Sequence, residues 1–221
     1  MKVTYYLEVL SSWCFWAEPT WAELKARYAP RGVAFDWKIA LMSAADFPVS
    51  EKQYEWFLQR SGGTVMRSPF KLNPAWVDFP VTAATYPAAS AVAEAARSLG
   101  AGGDEVRLAL AHAGEREGRK MGRMAEAVAV AAKVARLPAK KLRARAESAE
   151  IAARLAATTA EFHAHQVAQR PAFVLEDEIG DKAVFSGLVS IDPLAATIEA
   201  MLADTAAYAA HRAHFGTPPT H

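Results

Sequence analysis

Lys2-Val3-Thr4-Tyr5-Tyr6-Leu7-Glu8-Val9-Leu10 runs straight into Ser11-Ser12-Trp13-Cys14, with Pro19 five residues further on, and this stretch decides how the chain folds. Val3, Tyr5, Leu7 and Val9 alternate with Thr4, Tyr6 and Glu8, and β-branched and aromatic types dominate. A period of two predicts a strand over 2–10 with one face committed to the core. The strand stops at Ser11-Ser12, whose hydroxyls suit a helix N-terminus. Trp13, Phe15, Trp16, Trp21, Leu24 and Tyr28 then recur at helical spacing until Pro30-Arg31-Gly32. Pro19 inside that helix predicts a kink. Val33, Phe35, Trp37 and Ile39 alternate again about thirty residues after the first strand, so the opening third predicts a right-handed parallel βαβ unit.

From residue 50 to residue 168 the period becomes helical, with alanine-rich segments over 51–60, 88–99, 104–117, 124–136 and 140–169. Ser61-Gly62-Gly63, Asn73-Pro74, Phe79-Pro80, Tyr86-Pro87, Gly102-Gly103 and Leu137-Pro138 punctuate them. Two short strands are predicted over 171–176 and Lys182–Ser186, joined at hairpin length through Asp177-Glu178-Ile179-Gly180-Asp181. A last helix is predicted over 192–214, with Asp192 as N-cap and Pro193 at the first helical position, before a loose tail. The expected class is α/β, in the order βαβ, helical block, ββα. That is the thioredoxin order, with an all-helical insertion at about 45–168 between the halves of one domain spanning 1–221.

Composition narrows the function. Of 221 residues, 52% are hydrophobic and 22% charged, and 25 Lys+Arg against 24 Asp+Glu leave a formal charge of +1. The chain can bury a sizeable core and carries no broad field of either sign, so neither nucleic acid nor an anionic membrane surface is expected as a partner. Apolar runs such as 125–132 are far shorter than the roughly 20 residues of a membrane span. Met1-Lys2 passes directly into the strand with no cleavable apolar segment, and the expected location is the cytoplasm. The single cysteine, Cys14, excludes an internal disulfide and a cysteine-rich metal site. His163 and His165, two apart on a helix, face different directions and read as surface histidines, so no metal is expected.

The chemistry centres on Ser11-Ser12-Trp13-Cys14. The arrangement resembles the redox motif of thioredoxin-fold proteins, in which C-x-x-C opens a helix and a proline follows the second cysteine at this spacing. Ser11 stands where the first cysteine would be. A dithiol needs an attacking and a resolving thiol, and this motif retains only the second, so ordinary dithiol oxidation is not expected. Within the superfamily the chain resembles the branch holding DsbA-like proteins, 2-hydroxychromene-2-carboxylate isomerase and kappa-class glutathione transferase. The last two place serine in a motif of the type L-S-P-Y-S. Leu10-Ser11 follows that pattern, while Ser12 replaces its proline and Cys14 its final serine. Phe79-Pro80, Tyr86-Pro87 with Ser90, Glu117-Gly118-Arg119 and Leu137-Pro138 extend the resemblance along the chain.

The resemblance implies that the Ser11 hydroxyl donates a hydrogen bond to the sulfur of bound glutathione at a helix N-terminus, whose dipole also favours negative charge. A charge-assisted bond of about 1.5–3 kcal/mol corresponds to roughly one to two units of thiol pKa. Each residue also has a plainer reading. Ser11 serves as an N-cap, Cys14 is either a packed structural cysteine or a lone nucleophile, and Trp13 either stacks on a ligand or covers the helix start.

Gln169-Arg170-Pro171-Ala172 resembles the loop that sets a cis-proline opposite the motif, where its backbone pairs with an extended peptide such as glutathione. Arg170 either clamps a carboxylate of cofactor or substrate or is simply solvated. Phe185-Ser186-Gly187 falls where relatives contact the γ-glutamyl end. Arg67, Asn73 and Trp76 lie where relatives wall the substrate side, and Trp56, Phe57, Trp76 and Phe79 suggest an aromatic substrate or core packing.

The expectation is therefore a glutathione- or thiol-dependent isomerase or transferase acting on a small aromatic or conjugated substrate. Ser11 and Cys14 are its catalytic candidates, and Ser12, Trp13, Arg170, Pro171, Ser186 and Gly187 its cofactor-binding candidates. Glutathione or another low-molecular-weight thiol is the expected cofactor, and a small molecule, with a second copy of the chain as an option, the expected partner. A monothiol oxidoreductase using Cys14 and a non-enzymatic binding protein are the alternatives.

Overall fold

β1 (Lys2–Leu7), β2 (Ala34–Ile39), β3 (Ala172–Glu176) and β4 (Lys182–Ser186) form one sheet of order β2-β1-β3-β4 in the computed structural model. The structure describes residues 1–59, 72, 73, 75, 77, 78, 86–187 and 189–216, with the side chains of 44 and 57–59 left aside. β1 pairs parallel with β2, from Lys2 opposite Ala34 to Leu7 opposite Ile39, and antiparallel with β3, which pairs antiparallel with β4. α1 (Ser12–Tyr28) makes the crossover, and a short turn with Gly32 at φ +85° returns the chain to β2. Glycine bears that left-handed angle without a Cβ penalty.

β1 is buried on both faces, where the alternation predicted one. Tyr5 stacks between Trp21 and Phe173, with ring centroids 5.1 and 4.9 Å away. Tyr6 points to the other side, against Phe162. A strand in the middle of a sheet covered by helices on both faces buries every side chain, so its polar-seeming positions are also core. The strand ends at Leu7, three residues earlier than predicted, because Glu8, Val9 and Leu10 turn beneath α1.

The insertion follows the predicted order: α2 (Glu51–Gln59), α3 (Ala88–Ser98), α4 (Glu105–Glu115), α5 (Met124–Ala135), α6 (Ala139–Ala146) and α7 (Ala149–Ala164). α3 is buried from Ala88 to Ala96, and its small side chains let α4, α5 and α6 pack around it. The single helix predicted over 140–169 is two, since Ser148 caps α7 by accepting from the Ile151 amide. α7 lies along β2 through Thr158 Oγ1 to Ile39 O at 2.6 Å and the Leu41 amide to Thr159 Oγ1 at 3.0 Å. α8 (Ile191–Phe215) begins one residue before the predicted start, with Ser190 rather than Asp192 at the N-cap and Pro193 third in the helix. It buries Leu194, Ile198 and Met201. One apolar cluster runs from the sheet through α1 into the insertion, so the helical block is built onto the sheet's core.

A polar network pins α4 to α1. Arg107, 2% exposed, donates to Glu18 at 2.5 Å and to Asp104 at 2.7 Å. Trp21 and Lys25 also donate to Asp104, and the Tyr5 hydroxyl bonds Glu18. Burial of a guanidinium is tolerable only with such partners.

Candidate functional site

α1 begins where β1 ends, at the carboxyl edge of the parallel pair, and Ser11 is its N-cap with extended backbone angles. Its Oγ accepts from the Cys14 amide at 3.4 Å, a long N-cap bond. Ser11, Ser12 and Trp13 line an open cavity of about 370 Å³. Its far wall is Ala168, Gln169 and Arg170, and its remaining lining includes Trp16, Met42, Asp46, Phe47, Tyr54, Leu72 and Glu115.

Ser11 is thus the N-cap of α1 and also part of the cavity lining. Cys14 has a different fate. It is 2% exposed, does not line the cavity, and its sulfur accepts from the Glu8 amide at 3.4 Å. Burial pushes its thiol up to about 12, only partly offset by the hydrogen bond from Ser11 and the Glu8 amide. A thiolate is the nucleophile, and this environment opposes it, so the surroundings of Cys14 fit the packed reading better than the nucleophile reading.

The Arg170–Pro171 peptide is cis, as the motif predicts. Arg170 is half-buried over the Phe162 ring at 4.4 Å, and its guanidinium is engaged by three main-chain carbonyls: Ala40 at 2.7 Å, Leu41 at 2.7 Å and Ala168 at 3.1 Å. Two of its five N–H groups thus tie the loop to the exit of β2, and a third bonds within the loop itself. It lines the cavity as a half-buried side chain already engaged by the main chain.

Ser186 and Gly187 reach the cavity only through Gln169. The Ser186 hydroxyl donates to the Gln169 carbonyl at 3.1 Å, and the Gly187 amide to the Pro171 carbonyl at 2.8 Å. Gly187 has φ +88°, and a Cβ there would meet Gln169 Oε1 at 2.8 Å and Trp13 Cζ3 at 4.0 Å. The close approach shows how the motif, the cis-proline loop and the end of β4 meet. Pro171, Ser186 and Gly187 are supports of the wall rather than its surface.

The aromatics of the cavity are Trp13, Trp16, Phe47 and Tyr54, whereas Trp56 is 50% exposed outside it. Arg67, Trp76, Phe79 and the side chain of Phe57 lie outside the described residues. Asn73 gives its amide to the Glu115 carbonyl at 2.6 Å, closing the end of α4. His165 hydrogen-bonds Tyr6 at 3.2 Å rather than standing free in solvent, and among the described residues no acid, cysteine and histidine cluster is fit to hold a metal.

Sequence reasoning missed two buried carboxyls. Glu8 receives the Ser90 hydroxyl at 2.5 Å, and burial raises it to about 7 while the amides of Met42 and Leu10 and the Arg170 cation pull the other way. Glu115, fully buried, is raised by burial to about 8. The signal for Glu115 was legible: an acid following Leu110, Ala111 and Ala113 on the apolar stripe of α4.

The architecture is that of the DsbA-like thioredoxin-fold proteins, a βαβ half and a ββα half separated by helices. Among solved structures the chain is similar to a Nitrosomonas europaea protein provisionally described as a protein disulfide isomerase (TM-score 0.71, 15% identity, 92% of this chain and 98% of that one). It is also similar to the cytosolic disulfide reductase DsbM of Pseudomonas aeruginosa in its structure with GSH (0.65, 18% identity, 84% and 90%). A third likeness is to 2-hydroxychromene-2-carboxylate isomerase (0.61, 15% identity, 94% and 99%). No protein-family model and no curated protein matches the sequence. At these identities the likeness establishes the fold.

Proposed function

We propose that the protein is a thiol-dependent enzyme of the isomerase or transferase type, which binds glutathione or a similar low-molecular-weight thiol and turns it on a small aromatic or conjugated molecule. The observation that carries the reading is the opposite placement of the motif's hydroxyl and thiol. Ser11 lines the cavity at the N-terminus of α1, while Cys14 is buried outside that lining with its thiol pushed up by burial. A reactive sulfur there has to arrive with a ligand. At the helix N-terminus it meets a hydroxyl donor and the positive end of the dipole, both of which favour the thiolate.

The backbone at Arg170 and the amide of Gln169 would pair with the polar ends of the thiol, and Trp13 would cover it. The apolar floor would take the second substrate, whose electrophilic carbon the thiolate attacks. The similar DsbM structure holds GSH, which favours glutathione as the first thiol to try. A cytoplasmic location fits a thiol kept reduced, and no helix among the described residues is long and apolar enough to cross a membrane. The alternative in which Cys14 forms mixed disulfides lacks an accessible sulfur.

Titrating glutathione while following thiolate absorbance near neutral pH tests this reading. Wild-type protein is expected to bind it and to lower its thiol pKa by roughly one to two units, and Ser11→Ala to abolish most of that shift. Absence of binding at millimolar glutathione and at millimolar concentrations of other small thiols would leave a non-catalytic binding protein as the better description.

A further inference from the structure

Among the described residues, two polar groups in the cavity lining have no hydrogen-bond partner. Trp16, 3% exposed, lines the cavity, and its indole N–H is buried without a hydrogen-bond partner. Glu115, fully buried, lines the same cavity, and neither of its carboxyl oxygens has a partner. An unpartnered donor and an unpartnered carboxyl each cost about 1–3 kcal/mol or more, so a fold that keeps both buried in the wall of one cavity leaves them for a ligand.

Their surroundings agree. Glu115 is the last residue of α4, where the helix dipole is negative and a carboxylate is doubly disfavoured. No cation pairs with it among the described residues, and the ionisable groups sharing the cavity are Tyr54 from α2, Asp46 and Arg170. Tyr54 is itself pushed up to about 12, by burial and by Glu115. Arg170 is committed to carbonyls. The rest of the floor, Leu10, Met42, Phe47, Pro48 and Leu72, is apolar.

An isolated carboxyl and an N–H donor sharing an apolar chamber of single- or fused-ring size match one kind of chemistry, proton transfer beside a carbonyl. We propose that Glu115 is the acid–base group of this pocket and Trp16 the hydrogen-bond donor to the substrate's carbonyl oxygen, for an enolisable, aromatic-sized carbonyl compound. The inference rests on the reading of this cavity as a substrate site, but not on the thiol. In the step, the Glu115 carboxylate takes a proton from the carbon next to the carbonyl. The C–H electron pair becomes the enol double bond, and the carbonyl π pair moves onto the oxygen facing Trp16 Nε1. Return of the proton from the Glu115 carboxyl to the same carbon restores the ketone, and return to a conjugated carbon shifts the double bond. Atoms and electrons balance without a further reactant.

The test uses 2-tetralone in deuterated buffer with no thiol, and follows loss of its α-proton signals by NMR. Wild-type protein is expected to accelerate exchange, increasingly so as pH rises through about 8, where the carboxyl ionises. Glu115→Gln, which keeps shape and polarity, is expected to lower that acceleration about 100-fold or more with affinity for the ketone within a few-fold of wild type. Trp16→Phe leaves the carboxyl in place and is expected to lower exchange about tenfold or more, which keeps the question open to measurement should the Gln variant fold poorly. Wild-type exchange no faster than buffer, or Glu115→Gln exchange equal to wild type, would overturn the proposal. Because the assay contains no thiol, these outcomes are independent of the glutathione titration, which tests the other reading by itself.

Discussion

Ser11, Cys14 and Glu115 show how much one side chain's surroundings decide. Ser11 and Cys14 are three residues apart, yet one faces the cavity and the other lies beneath it. With its thiol raised from 9 to about 12, Cys14 holds about a thousandfold less thiolate at neutral pH than an ordinary cysteine. Alkylation of the folded protein at pH 7 should therefore be slower than that of a free thiol by about that factor, and quick labelling would show that the sulfur is reachable. Cys14→Ala should keep any thiol-dependent turnover and lose about 1–2 kcal/mol of stability from the small void it leaves, as read by urea denaturation.

Two junctions between elements hold the site together. α4 brings Glu115 to the cavity and is fastened to α1 by Arg107 between Glu18 and Asp104. Arg107→Met leaves Glu18 without its cation and Asp104 with Lys25 alone, and should cost about 3–5 kcal/mol in chemical denaturation, whereas loss of Arg27, exposed beside Glu23, should cost under about 1. β4 delivers Gly187 to Gln169. Gly187→Ala meets both a left-handed φ and a 2.8 Å contact, so it should displace Gln169 and raise the Kd for glutathione severalfold, measured by calorimetry. These junctions also mark what the sequence could tell. The βαβ and ββα halves were legible because a period of two and a helix-opening serine are local signals. The motif and the proline loop were legible by resemblance. The burial of β1's second face, the break at Ser148 and the engagement of Arg170 by carbonyls 129 and 130 residues away depend on partners remote in the chain, which no local pattern encodes. Glu115 stood in plain view on an apolar stripe, but its place in the cavity lining depends on residues remote in the chain.

For the molecule as a whole, two buried carboxyls set the pH dependence of stability. Burial raises Glu8 to about 7 and Glu115 to about 8, against an ordinary value of 4.5. Because the folded state holds these protons more tightly than the unfolded chain, their stabilising effect is fully present below about 4.5 and is lost as pH rises through 7 and then 8. The unfolding free energy from denaturant titration should fall by several kcal/mol between about pH 5 and 9, and Glu115→Gln should flatten the upper part of that slope. A flat profile would mean that neither carboxyl is buried as described. The proposed function rests on one claim, that this thioredoxin-like scaffold works with a sulfur it does not own. A crystal structure with bound glutathione addresses it most directly. The account predicts the glutathione sulfur within hydrogen-bonding distance of Ser11 Oγ, with its peptide along the Arg170–Pro171 loop. Glutathione bound elsewhere, or joined as a mixed disulfide to Cys14, would contradict it.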